Sequence, residues 1–143
     1  MADGFDISEL DRMVQKMMTV ANDTMPSKSK KFLKTEAGKL RKVDVSVFKT
    51  KGIESRTGNL IKGFKSGKVY KYKGVLSVRA FNSAPHAHLL NDGWMWTPHE
   101  GQGGNEKFIP GFHFMEDAEK EFEPQYFDDC ETLTMDVIKE LLT

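Results

Sequence analysis

Residues 68–81 read Lys-Val-Tyr-Lys-Tyr-Lys-Gly-Val-Leu-Ser-Val-Arg-Ala-Phe, with side chains that alternate on both sides of a Lys73-Gly74 pair. A period of two is typical of strands, and the Lys-Gly pair supplies a turn between them. The segment predicts a β-hairpin at about residues 66–81, whose lysines also protect a strand edge from uncontrolled pairing. Because helical patterns lie on both sides of it, we expect an α+β fold with a small antiparallel sheet.

Two N-terminal helices are predicted before the hairpin. Asp6 and Glu9 form a capping box at the start of the first helix, and Phe5 and Leu10 are spaced as a hydrophobic staple. Its apolar stripe recurs at helical spacing and contains Leu10, Met13, Val14, Met17, Met18 and Ala21. Methionine-rich faces can be adaptable docking surfaces, but this spacing favours a core seam.

The second helix begins with Pro26 in its first turn and has an apolar stripe from Phe32 to Leu40. After Lys42, valines alternate with polar residues, which is the period of a strand. The helix therefore either ends near Lys42 or continues to about Thr50, and we favour the longer helix. Its lysines could meet phosphates. A lysine-rich helix face is more often a solvated surface, and no aromatic residues are interleaved with these lysines.

The histidines are the first candidates for a metal site. His86 and His88, with His99, His113, Glu100 or Cys130, could supply zinc ligands. The sequence has no His-Glu-x-x-His or Cys-x-x-Cys motif, so we expect no metal and no other cofactor. We instead predict that His86 and His88 belong to a short helical turn that ends at the C-capping Gly93.

A long loop is predicted at residues 93–108, where one proline and several glycines lie among polar residues. Its Gly-Gln-Gly-Gly run lacks the Gly-Lys-Ser/Thr ending of a phosphate-binding loop, so no nucleotide role is assigned. Trp94 and Trp96 lie at the start of this loop. They are either core anchors or interface anchors, and the sequence does not distinguish the two.

One long acidic helix is predicted at the C-terminus. Its apolar stripe contains Met115, Ala118, Phe122, Tyr126, Cys130, Leu133, Val137 and Leu141. Pro124 predicts a kink or a break into two helices. Acidic pairs such as Asp117 and Glu121 are typical of a solvated helix face and do not indicate acid–base catalysis. Cys130 lies on the apolar stripe and is predicted to be a core residue.

The formal net charge of zero conceals three blocks of charge. Residues 1–25 carry two basic and five acidic side chains. Residues 26–79 carry sixteen basic and three acidic side chains, and residues 80–143 carry three basic and thirteen acidic side chains. The blocks have net charges of −3, +13 and −10. Copies of the chain could therefore dock basic face to acidic face, or the basic block could bind nucleic acid or an acidic protein. The pattern favours assembly over catalysis, and we expect no enzymatic activity.

Length and composition predict one domain over residues 1–143, large enough to bury a core without disulfides or metals. A single cysteine and a polar N-terminus without an apolar run are typical of a soluble protein made in a reducing cytoplasm. No stretch approaches the roughly eighteen apolar residues of a membrane span, so no membrane partner is expected.

Three segments, in the same order, resemble a family of phage neck proteins known as head-tail joining, minor capsid or tail completion proteins. The first segment, Arg56–Gly63, resembles a turn in which Thr-Gly is followed by a polar residue, a leucine and a small residue. The second, Ser83–Leu90 followed by Gly93, resembles an Ala-Pro-Tyr/His element whose apolar turn ends at a glycine. The third, Pro110–Ala118, resembles the start of the family's last helix, where Pro-x-Phe is followed by an alanine. The family often has an acidic and then an aromatic residue before the glycine, where this chain has Asn91-Asp92.

The resemblance implies a non-enzymatic structural subunit of the neck of a long-tailed phage or prophage, located in the virion and, during assembly, in the host cytoplasm. By analogy with neck rings, we hypothesise an oligomeric ring, a hexamer, around the DNA channel. In this ring Lys28, Lys31, Lys34 and Lys42 would face DNA, without sequence specificity, or the acidic rim of an adjoining neck or tail protein. Glu119 and Glu123 would lie near basic residues of a neighbouring copy.

Three alternatives remain open at this stage. The first is a tail terminator, because it is also a small α+β protein that forms rings. The second is a cytoplasmic nucleic-acid-binding module that uses the lysine block. The third is a small metal-dependent hydrolase that would use His86, His88, His99 and Glu100.

Overall fold

The computed structural model of the protein describes residues 7–53 and 58–143. The predicted capping residue Asp6, the staple residue Phe5 and the Arg56-Thr57 pair lie outside the described residues. Helix α1 spans Ile7–Thr19 and helix α2 spans Met25–Thr50, and a π-helical turn at Val20–Thr24 joins them. Thr19, Thr24 and Met25 all have right-handed helical backbone angles, so the two predicted N-terminal helical segments are present but continue as one long helix with a π-turn inside it. Its end at Thr50 agrees with the longer of the two lengths predicted for α2.

The hairpin is also confirmed. After the short helix α3 (Asn59–Lys62), strand β1 (Phe64–Ser66) pairs with β4 (Ala80–Asn82), and β2 (Tyr70–Tyr72) pairs with β3 (Val75–Ser77). Both pairs are antiparallel, so together they form one long hairpin with its tip at Lys73-Gly74. The backbone φ angles there are +50° and +79°, which suit the tight turn between two strands.

The region after the hairpin differs in part from the prediction. Helix α4 (Ala87–Asp92) is the expected short turn, and Gly93 follows it with a φ of +100°. However, β5 (Gly93–Trp96) pairs with β6 (Lys107–Pro110), so the predicted loop at residues 93–108 was too long. The loop covers only residues 97–106. Apolar and aromatic residues on both sides of this loop form the ladder, and neither segment alone is long enough to signal a strand.

The last helix, α5, runs from Phe114 to Leu142 without ending at Pro124, so the predicted break is wrong. Pro124 is exposed, and water can therefore solvate the backbone carbonyl group that loses its helical partner. Packing along α2 supports both halves of the helix. The predicted apolar stripe faces inward, although Cys130 is half-buried and not a fully buried core residue.

Three phenylalanine rings form the centre of the core. Phe48 of α2, Phe64 of β1 and Phe114 of α5 are almost fully buried, and their ring centroids lie 5.2 to 5.9 Å apart. The interplanar angles of 67° to 87° are edge-to-face arrangements, which aromatic rings prefer. The core therefore joins the C-terminal end of α2 to the hairpin and to the start of α5.

Ion pairs show that α2 and α5 are antiparallel. Lys28 Nζ lies 3.0 Å from Glu140 Oε2, Lys39 Nζ lies 2.8 Å from Asp129 Oδ2, and Lys51 pairs with Asp117 near the other end. The Lys51 ammonium holds the pKa of the Asp117 carboxyl below its usual value. Since the start of α2 is level with the end of α5, little of α5 remains to cover α1.

The methionine stripe of α1 is consequently exposed, and its predicted place in the core is wrong. Met13 and Met18 expose 53% of their surface and Met17 exposes 49%, and Leu10 and Val14 are exposed to a similar extent. Among residues 8–20, Val20, in the π-helical turn, is the first buried residue. Helix α1 therefore presents an apolar face to the solvent.

Candidate interaction surfaces

Two of the three segments that carry the phage resemblance meet at the base of the hairpin. Asn82 Nδ2 donates a 2.7 Å hydrogen bond to the Leu60 carbonyl group, and its Oδ1 accepts one of 2.8 Å from Ala84 N. The Ser83 backbone N–H donates to the Gly63 carbonyl group at 2.9 Å. These bonds fasten the described part of the first segment to the second.

The second and third segments meet at the start of α5. Phe112 N donates to the Leu90 carbonyl group at 2.8 Å, and His113 N donates to the Asn91 carbonyl group at 3.0 Å. The buried Asn91 side chain accepts a 2.9 Å bond from Met115 N and donates to Glu116 at 3.0 Å. Asn91 therefore caps α5 from a different helix, by satisfying a backbone donor in its first turn.

Replacing Asn91 with alanine should lower the free energy of unfolding by about 1–2 kcal/mol, because a backbone donor at the start of α5 loses its partner. Chemical denaturation followed by circular dichroism measures this change. Asn105→Ala, in the exposed loop, is the matched control and should change stability by less than about 0.5 kcal/mol. Equal effects of the two substitutions would contradict the capping role of Asn91.

The four lysines predicted to contact DNA or an acidic neighbour differ in their ion pairing. Lys28 forms the ion pair with Glu140, whereas Lys31, Lys34 and Lys42 are exposed, and Lys31 lies at a groove between α2 and α5. Within the described chain, none of these three lysines forms an ion pair with a carboxylate. They are therefore available to an acidic partner, and Lys28 already has one.

Glu119 and Glu123 lie one helical turn apart on α5, at the edge of a groove of about 490 Å³. The groove runs between α2, the hairpin and α5, and its other lining residues are Leu33, Glu36, Ala37, Leu40, Leu76, Ser77, Val78, Arg79, Ala80, Phe122 and Tyr126. Both glutamates are exposed. The groove is apolar at its base and charged at its edge, which suits contact with another surface.

Two carboxylates are buried where α2 faces α5. Asp44 is 1% exposed, neither of its carboxylate oxygens has a hydrogen-bond partner among residues 7–53 and 58–143, and burial with the nearby Glu119 charge raises its pKa to about 7. Glu36 is buried beside Asp129, and burial is the main reason that its pKa is raised. The Lys39 ammonium has the opposite effect on Asp129 and lowers its pKa. Sequence reasoning assigned no role to Asp44 or Glu36.

The two tryptophans are half-buried on β5. Trp94 pairs with Ile109 in the ladder, and the Lys107 ammonium nitrogen lies 5.3 Å from the Trp96 ring centroid. Between them, Met95 pairs with Phe108, and both of these side chains are exposed. The tryptophans thus contribute partly to packing, and the residues that β5 and β6 offer to a partner are Met95 and Phe108.

The candidate metal ligands are distributed over separate elements. His86 and His88 are exposed at α4, whereas His99 and Glu100 are exposed in the loop at residues 97–106. In residues 7–53 and 58–143, no group of three or more His, Cys, Asp or Glu side chains is arranged to hold a metal ion. None of the helices in these two ranges combines the length and the apolar character needed to cross a bilayer.

Two exposed surfaces were missed at the sequence level. The hairpin tip exposes Tyr70 and Tyr72 among lysines, and the outer side of α5 exposes Phe127 and Ile138 among carboxylates. The alternation of lysine and tyrosine in residues 70–73 was a usable signal for the first surface. For the second, the signal was the presence of apolar residues outside the main stripe of α5.

Comparison with known proteins identified no relative of this chain. No family model, curated protein or solved structure matches the chain.

Proposed function

We propose that this protein is a non-enzymatic structural subunit of a phage neck, which acts at head-tail joining or tail completion as an oligomeric ring. The observation that carries the proposal is the convergence of the resembling segments. Their described parts hydrogen-bond to one another between the hairpin, α4 and the start of α5. In such a protein these segments act as a structural joint that holds the exposed surfaces in place.

The distribution of the exposed surfaces supports the same proposal. The chain presents an apolar methionine face on α1, a basic hairpin and an acidic outer face on α5. Exposed apolar patches bordered by charges are typical of protein–protein interaction sites. Several such surfaces on one small chain suit a subunit that contacts both its own copies and adjoining neck or tail proteins.

Deletion of the encoding gene from its phage or prophage tests this proposal. DNA-filled heads and finished tails should accumulate unjoined, which electron microscopy of the lysate counts. Purified protein added to this lysate should restore joined particles, whereas the same preparation from cells without the gene should not. Normally joined particles in the deletion lysate would contradict the proposal.

A further inference from the structure

The tip of the hairpin carries an exposed apolar patch. Tyr70 and Tyr72 lie two residues apart on β2, and Val75 is the cross-strand partner of Tyr72. Alternate residues of a strand lie on the same face, and directly opposed residues share that face. All three side chains are exposed, Tyr72 to 60% of its surface. We call these three residues the tip patch.

Positive charge surrounds the tip patch. Lys68 and Lys73 are exposed, and the Lys73 ammonium nitrogen lies 5.4 Å from the centroid of the Tyr72 ring. Between residues 64 and 82 the sequence has five basic residues and no aspartate or glutamate. The tip patch therefore suits a partner with an apolar centre and a negatively charged border.

The outer side of α5 has this complementary pattern. Phe127 is 60% exposed, and Glu123 and Glu131 lie one helical turn before and after it, with Asp128 beside it. All three carboxylates are exposed. Ile138, three turns after Phe127 on the same side, is also exposed. We call Phe127 with Glu123, Asp128 and Glu131 the acidic patch.

The two patches do not meet within one chain. Leu76 is the cross-strand partner of Lys71, so it lies on the opposite face of the hairpin from Tyr72. Leu76, together with the side of α5 that carries Phe122, lines the groove of about 490 Å³. Tyr72 and Phe127 are not among the residues of this groove, and both are exposed. A contact between the patches therefore requires two molecules.

From this complementarity we infer that the tip patch of one copy docks on the acidic patch of a second copy. The inference rests on the proposed function and identifies the surfaces that join neighbouring subunits. Because the two patches are different, the contact is head-to-tail. Each copy binds one neighbour through its tip patch and another neighbour through its acidic patch. Such contacts close into a ring when the rotation between neighbours permits it.

Charge reversal on each patch tests the inference in the full-length protein. Lys68→Glu with Lys73→Glu places carboxylates beside the tip patch, and Asp128→Lys with Glu131→Lys places ammonium groups in the acidic patch. Each double variant alone brings like charges together, so its association measured by sedimentation velocity should weaken at least about tenfold. An equimolar mixture of the two variants should recover association, because every contact in an alternating assembly again joins opposite charges.

A charge-matched control separates this contact from a general effect of charge. Lys30→Glu with Lys49→Glu makes the same change at exposed sites of α2 and should associate like the wild type. Circular dichroism and thermal melting verify that all three variants are folded. In a Cys130→Ser background, Lys73→Cys mixed with Glu131→Cys should yield disulfide-linked heterodimers in excess of homodimers, which gives a readout that does not depend on reversed charge.

Several results would overturn the inference. These are a wild-type protein that stays monomeric, a mixture that does not recover association, or a loss of association only in the α2 control. Weakened binding of a DNA duplex by Lys68→Glu with Lys73→Glu, at unchanged association, would instead assign the tip to nucleic acid. The proposed function is tested separately, because the deletion lysate reports on joining whichever surfaces connect the subunits.

Discussion

Phe114→Ala should destabilise the protein by about 3–5 kcal/mol, the usual cost of removing a fully buried phenylalanine. Phe114 has no exposed surface, and its ring lies edge-to-face with Phe48 at 5.2 Å and with Phe64 at 5.9 Å. The alanine variant leaves a cavity where α2, the hairpin and α5 meet. Since domains of this size have free energies of unfolding of about 5–15 kcal/mol, the substitution removes much of the total stability.

Thermal melting and urea denaturation measure this loss, and the midpoint of melting should fall by about 10 °C or more. Phe108→Ala is the matched control, because the same side chain is removed from an exposed site on β6. The control should stay within about 0.5 kcal/mol of the wild type. A similar small change for Phe114→Ala would show that the core is not centred on these three rings.

Asp44→Asn should remove a large pH dependence of stability. The folded-state pKa of Asp44 is raised to about 7, above its ordinary value of 3.8, so the folded protein retains a proton that the unfolded chain releases. The contribution of Asp44 to stability is therefore full below about pH 4, decreases as pH rises towards 7, and is constant above that. The total decrease corresponds to about 4 kcal/mol, and the asparagine variant, which does not ionise, lacks it.

Urea denaturation from pH 4 to pH 8 measures this difference, and groups that titrate in both proteins cancel in the comparison. The variant should gain stability relative to the wild type as the pH rises. Glu119→Gln is an informative control, because it removes the neighbouring charge that adds to the effect of burial. Glu119→Gln should lower the folded-state pKa of Asp44 and so reduce the total decrease in stability only in part. Parallel curves for the wild type and Asp44→Asn would contradict an ionisable buried carboxyl group.

Local patterns were sufficient to predict much of the fold. The alternation around Lys73-Gly74 predicted the hairpin, and the apolar spacing from Met115 to Leu141 predicted the buried face of α5. The valines after Lys42 had the period of a strand, yet α2 continues to Thr50. The helix is retained there because Val47 and Phe48 both reach the core from successive helical positions.

The remaining features depend on contacts between distant segments. The β5–β6 ladder forms across a ten-residue loop, so neither strand alone signals it. The exposure of the α1 stripe depends on where α5 ends relative to α2, which the spacing of methionines does not encode. In the same way, the burial of Asp44 depends on the packing of α5 against α2, which the alternation of Asp44 with valines does not indicate. The candidate surfaces were predicted only in part, because exposure follows from the way that the helices pack.

The mass of the full-length protein in solution tests the central claim, that this chain functions as a subunit which contacts copies of itself. Sedimentation equilibrium should be measured from low to high micromolar concentration, at about 50 mM and about 500 mM salt. We predict a mass that rises with concentration from 16.2 kDa to a defined multiple of that value, and that decreases at high salt, where exposed charges are screened. A mass of 16.2 kDa at every concentration and salt would contradict the account.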